Sequence, residues 1–95
     1  MKLSPTEVDL VGKWVSVDRS VRADETSERI EWLTTNYLRK VTTSKQGGGW
    51  ETLFEDPEDG RLWERTYPQS ELPGGGPPRL TVMSAEQARA KYQLS

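Results

Sequence analysis

Asp56-Pro57-Glu58-Asp59-Gly60 is the stretch that most restricts how this chain can fold. Proline presets φ at the first turn position, the two aspartates can bond local backbone, and glycine accepts a positive φ. Half-apolar, aromatic-bearing segments flank it at 50–55 and 61–67. Together they read as an antiparallel hairpin. Pro68 closes the second strand because it has no amide to give to a ladder. A loop over 69–78, containing Gly74-Gly75-Gly76-Pro77-Pro78, precedes a further strand at 79–83. Tryptophan and turn residues are dense from 49 to 84, and groups able to do chemistry are scarce. That combination points to a shaped binding surface on a small sheet and not to an active site.

The rest of the chain supplies helices and outer strands. Ser4-Pro5-Thr6-Glu7 has the pattern of a helix start, enough for about one turn before Gly12. Residues 13–17 read as a strand. Asp24 is a plausible N-cap for a helix to Thr35, with Glu25 and Glu28 in the first turn, where the dipole favours acids. Asn36 stops it, and 37–43 returns as a strand. A glycine-rich connection, 44–49, leads into the hairpin. Ser84 and Gln87 form a capping-box pattern for a last short helix to about Tyr92. The expected class is α+β: an antiparallel sheet of about five strands, meander-like in its second half, with two or three short helices. Helices on one face would leave the other face open to solvent or a partner.

Ninety-five residues suit one domain spanning 1–95, and 33% apolar residues make its core modest. Four tryptophans offset the shortage. Cysteine is absent, so disulfides and thiolate metal sites are excluded. Histidine is absent too, which removes the commonest acid–base group and metal ligand. The polar N-terminus resembles neither a signal peptide nor an anchor, so cytoplasm is the expected compartment. Net charge is −2 and pI about 5.2, a poor match for binding phosphates. The acids are concentrated: residues 51–72 hold seven acids and two bases, whereas 13–45 hold seven bases and five acids.

No catalytic residue is assigned. Serine and threonine lack a histidine to activate them. The pairs Glu55/Asp56 and Glu58/Asp59 sit on an exposed tip, where nothing separates their acidities. The same acids do not match a calcium-loop spacing, and Pro57 stiffens the turn, so no metal is assigned. The glycine triplet at 74–76 lacks the following helix and base of a phosphate loop, and no cofactor is expected. Trp50 and Trp63 can pair across the hairpin, while Trp14 and Trp32 can fill the helix–sheet interface. Core packing is the plain reading for each; a tryptophan partly exposed beside acids would instead suit an interface.

Gly49-Trp50-Glu51-Thr52-Leu53-Phe54, Asp56-Pro57-Glu58-Asp59-Gly60-Arg61-Leu62-Trp63-Glu64, Tyr67-Pro68-Gln69-Ser70-Glu71-Leu72 and Gly74-Gly75-Gly76-Pro77-Pro78 together resemble the signature of bacterial immunity protein family twenty-seven. Leu10-Val11-Gly12-Lys13-Trp14 and Arg29-Ile30-Glu31-Trp32-Leu33 resemble it as well, so the likeness runs from about Leu10 to Tyr92. The resemblance implies a non-enzymatic antitoxin, encoded beside a secreted polymorphic toxin, that binds the toxic domain. It supplies no catalytic residues. From the charge pattern, Glu51, Glu55, Asp56, Glu58, Asp59 and Glu64 are expected to form the partner-binding rim, with Trp63 as its anchor. The competing expectations are a general protein- or ligand-binding regulatory module and a small enzyme working with carboxylates alone. Neither nucleic acid nor membrane is expected as a partner.

Overall fold

The computed structural model describes residues 3–17, 20–43, 51–69, 72 and 76–92. Among these residues seven strands and two α-helices run in the order β1 (Asp9–Val11), β2 (Trp14–Val17), β3 (Ser20–Ala23), α1 (Glu25–Trp32), β4 (Arg39–Thr43), β5 (Thr52–Glu55), β6 (Leu62–Thr66), β7 (Arg79–Met83) and α2 (Ala85–Tyr92). Five strands form one antiparallel sheet in the order β1-β7-β6-β5-β4. β2 and β3 form a second, two-stranded sheet. The fold is therefore α+β with a meander of the last four strands, as the hairpin and short connections required. β1, the hairpin β2–β3 and its separate sheet were not anticipated. The linker 44–49, Trp50 and the glycines at 74 and 75 lie outside the described residues.

The anticipated helix start at Ser4 forms only a turn. One capping bond is nonetheless present, from the Ser4 amide to Glu7 Oε1 at 2.8 Å, and the turn closes through the Glu7 amide on the Ser4 carbonyl at 3.1 Å. Asp24 caps α1 as read, accepting from the Ser27 amide at 2.8 Å. It also accepts from the Lys13 amide at 3.1 Å, so one carboxylate fastens β2 to the helix. Burial opposes its charge, but the bonds from Ser27 and Lys13 hold Asp24 below the ordinary aspartate range. After Trp32 the helix widens to a π-helical segment, Leu33–Tyr37, closed by the Leu38 amide on the Leu33 carbonyl at 2.7 Å. α2 opens with the expected reciprocal capping box, both Ser84–Gln87 bonds being 3.0 Å.

Strand alternation divides the sheet into two faces. Register places Leu10, Leu80, Val82, Trp63 and Phe54 on one of them. There Leu10, Leu80, Trp63 and Phe54 pack with Ile30, Leu33 and Leu38 into the main core, with Leu3 from the N-terminal turn. α2 instead reaches the opposite face: Tyr92 donates to Glu64 at 2.7 Å, and Glu64 pairs with Leu53 and Thr81 across the ladder. The two α-helices therefore do not share one face of the sheet. Lys91 explains the second docking, because its ammonium lies 2.6 Å from both Glu51 and Glu64. Burial opposes that charge, yet the two carboxylates raise the Lys91 pKa overall.

Trp14 and Trp32 correct another expectation. Neither fills the helix–sheet interface; each keeps 37% of its surface exposed. Gly76, by contrast, uses both freedoms anticipated for the glycine loop. Its φ is +74°, and an added Cβ would lie 2.3 Å from the Gln69 carbonyl oxygen.

The N-terminal turn is clasped to α1 by Arg29, whose Nη1 and Nη2 lie 2.6 and 2.7 Å from the two Glu7 carboxylate oxygens. This grip outweighs the opposing effect of burial, and with help from the Ser4 amide it lowers Glu7 from 4.5 to about 2. A carboxylate depressed on folding stabilises above its unfolded pKa, and that contribution fades as pH falls from 4.5 toward 2. Partial exposure limits the effect, so Glu7→Gln is expected to cost about 1–2 kcal/mol at neutral pH. Urea titrations of both proteins should show the gap closing near pH 2; a constant gap would contradict the linkage.

Candidate interaction surface

The sequence-predicted residues separate into three places. Glu55, Asp56, Glu58 and Asp59 gather at the β5–β6 turn. Glu51 and Glu64 converge on Lys91 beneath α2. Trp63 stands in the core with no exposed surface. The rim expected from charge pattern is therefore not one continuous strip.

The turn is closed by the Asp56 amide on the Arg61 carbonyl at 2.9 Å and the Gly60 amide on the Asp56 carbonyl at 2.8 Å. Gly60 has the positive φ that the motif required, +76°. Asp56 is almost fully buried, with 1% exposed. Its Oδ1 accepts from the Tyr37 hydroxyl at 2.6 Å and from the Glu58 amide at 2.8 Å. Tyr37 also donates to Glu58 at 3.1 Å, so the end of the π-helical segment holds the hairpin from below. Burial first, then its bonds to Asp56 and Glu58, push the Tyr37 pKa strongly up and keep the phenol a donor.

Arg61 fixes the other side of the turn. It takes Asp59 through Nε at 2.7 Å, and reaches the carbonyls of Glu7 at 2.7 Å and Ser4 at 3.0 Å. Its guanidinium lies 5.0 Å from the Trp63 ring centroid. Bonds from the Arg61 amide and side chain hold Asp59 below the usual aspartate range against an opposing desolvation. Glu55 pairs with Arg39 across the β4–β5 ladder. Glu58 and Asp59 remain exposed at the tip beside Pro57 and Gly60. Four carboxylates thus face two guanidiniums at this end, leaving it net acidic.

The other predicted acids serve packing. Glu64 is 9% exposed and bonds both Tyr92 and Lys91. Tyr92 is pushed strongly up, by burial and then by the Glu64 carboxylate. Among the described residues no group of three or more acids is arranged to hold a metal ion. None of the described helices is long and apolar enough to cross a membrane.

Two features escaped sequence reasoning. Trp14, Val15, Val21 and Trp32 are large apolar side chains left exposed around the second sheet and α1. Arg65 points inward on the same face of β6 as Trp63, into a cavity of about 330 Å³ beside α1. The alternation Trp63-x-Arg65 signalled that position, since inward residues on a strand recur every second place.

These arrangements define a small α+β protein whose distinctive chemistry lies on its outer surface: a braced acidic hairpin at one end and exposed aromatics elsewhere. The family model described as Immunity protein 27 matches residues 16–84, and the chain belongs to that family. Membership implies a non-catalytic role and a toxin as protein partner. No curated protein and no solved structure matches the chain.

Proposed function

We propose that this protein is a bacterial, cytoplasmic antitoxin without catalytic activity that binds one cognate secreted toxin domain and covers its active or substrate-binding surface. Family membership over 16–84 carries the reading. The hairpin from Glu51 to Glu64 is the partner-binding element. Glu55, Glu58 and Asp59 meet the partner directly, while Asp56, Trp63, Glu51 and Glu64 hold the element in shape. A rigid tip suits this task, because side chains already fixed by internal bonds lose little freedom on binding. Excess negative charge speeds capture of a basic surface such as that of a nucleic-acid-cutting enzyme, and blocks the path of its substrate.

The test pairs the purified chain with the toxin domain encoded by the adjacent gene. The wild-type chain should bind it and restore growth of cells expressing it. Reversal of Glu55, Glu58 and Asp59 to lysine should weaken capture about 100-fold, mostly through slower association; because it also breaks the pairs with Arg39 and Arg61, circular dichroism must show the variant folded at the assay temperature. Asp56 is left intact because its carboxylate is internal. A wild-type chain that neither binds nor protects would refute the antitoxin reading. Unchanged affinity in the triple variant would move the interface off the hairpin.

A further inference from the structure

We propose that the cavity between α1 and β6 is a carboxylate-binding site, with Arg65 as its cationic group. Naming the source of that carboxylate, an aspartate or glutamate side chain of the bound toxin, rests on the function proposed above. The existence of the site does not.

Arg29, Arg39, Arg61 and Arg79 each pair with a carboxylate. Arg65 differs from them: among the described residues it has no acidic partner within ion-pair distance. Its Nε is buried and unbonded, and its Nη1 makes one long contact to Thr34 Oγ1, at 3.4 Å. A half-buried guanidinium with no acid beside it among the described residues is costly, and Arg is the residue best shaped to take a carboxylate through two parallel bonds. The position is held firmly. The guanidinium carbon lies 5.4 Å from the Phe54 ring centroid and 5.6 Å from that of Tyr67. The fork is thus braced before any ligand arrives, which lowers the entropy cost of binding.

The cavity beside it has room for a side chain, at about 330 Å³. Its hydroxyls are unequal. Thr34 already donates to the Ile30 carbonyl at 2.9 Å, and Ser27 to the Lys13 carbonyl at 3.3 Å. Thr35, also on the wall, has no such bond among the described residues and is the hydroxyl left to serve a ligand. Glu31 borders the cavity without pairing to Arg65. The guanidinium can match one carboxylate, while Glu31 on the same wall disfavours a second negative charge such as that of sulfate.

The experiment has two arms. In the first, the uniformly ¹⁵N-labelled wild-type chain is titrated at pH 7 with sodium acetate, and with sodium chloride and sulfate at matched ionic strength. Acetate should move the Arg65 Nε–Hε resonance and the Thr35 amide along a saturating curve; chloride and sulfate should not. In the second, Arg65→Gln and Thr35→Ala are measured against the adjacent-gene toxin domain. Arg65→Gln should weaken binding about 30-fold, the scale of one charge-assisted pair, and Thr35→Ala a few-fold. An acetate response no different from chloride would overturn the site. Saturable acetate binding with unaltered toxin affinity in Arg65→Gln would overturn the toxin side chain as its source and leave a free small carboxylate. If the wild-type chain ignores the toxin, the antitoxin reading fails, while the acetate arm still decides the cavity.

Discussion

Replacing Trp63 by alanine should destabilise the protein by about 3–5 kcal/mol, a large share of the roughly 5–15 kcal/mol that keeps an ordinary domain folded. Trp63 is the largest fully buried side chain, and it joins Phe54, Leu80 and the α1 residues Ile30 and Leu33 in one core. Its loss removes the apolar area itself and opens a cavity that the neighbouring strands cannot close. Trp63→Phe should be far milder, about 1–2 kcal/mol. The smaller ring gives up volume, but the change also deletes an indole N–H that is buried without an acceptor. Circular dichroism during urea unfolding would measure both variants. Equal costs for phenylalanine and alanine would show that the indole N–H has a partner and that volume is not what counts. Arg61 lies against this ring and also holds the N-terminal turn, so Trp63→Ala should loosen the Ser4–Glu7 turn as well.

Asp56→Ala is expected to cost about 2–4 kcal/mol, a large effect for a residue in a turn. The substitution deprives the Tyr37 hydroxyl of its nearest acceptor and leaves the Glu58 amide without the carboxylate that orients it. Asp56→Asn keeps an acceptor oxygen and should cost about half as much. A double-mutant cycle with Tyr37→Phe should show coupling of roughly 1–2 kcal/mol, since the two groups share a buried bond. Additive losses would mean that Tyr37 and Asp56 act separately. This bond also connects stability with the proposed capture of a toxin, because it fixes how Glu58 and Asp59 stand at the tip. A variant at Asp56 that remains folded should therefore bind the partner more weakly without any change in exposed charge.

The same stretch shows where sequence reasoning succeeds and where it stops. Turn chemistry is local: Pro57, Gly60 and the short-range aspartate bonds act within five residues, so the hairpin was legible. The capping box at Ser84 is local in the same way and formed both its bonds, while that at Ser4 formed one of its two. Whether a turn then becomes a helix depends on burial, and the N-terminal segment continued instead into β1. Acidity was legible as composition but not as surface. Nothing local shows that Lys91 reaches Glu51 and Glu64, or that Arg39 reaches Glu55, because these pairs join residues distant along the chain. The burial of Trp63 was illegible for a related reason, since it depends on α1 crossing that face of the sheet.

The chain's own order of residues decided that this would be a small α+β protein with an antiparallel meander, a rigid acidic turn and no histidine or thiol chemistry. Its motifs placed it beside the immunity proteins, as the match over 16–84 then showed. Only the tertiary structure decided which acids stay outside, that the two α-helices lie on opposite faces, and that Arg65 lines a cavity beside α1. Periodicity and turn preference operate over a few bonds, whereas burial and charge pairing are set by segments that meet only when the whole chain has closed.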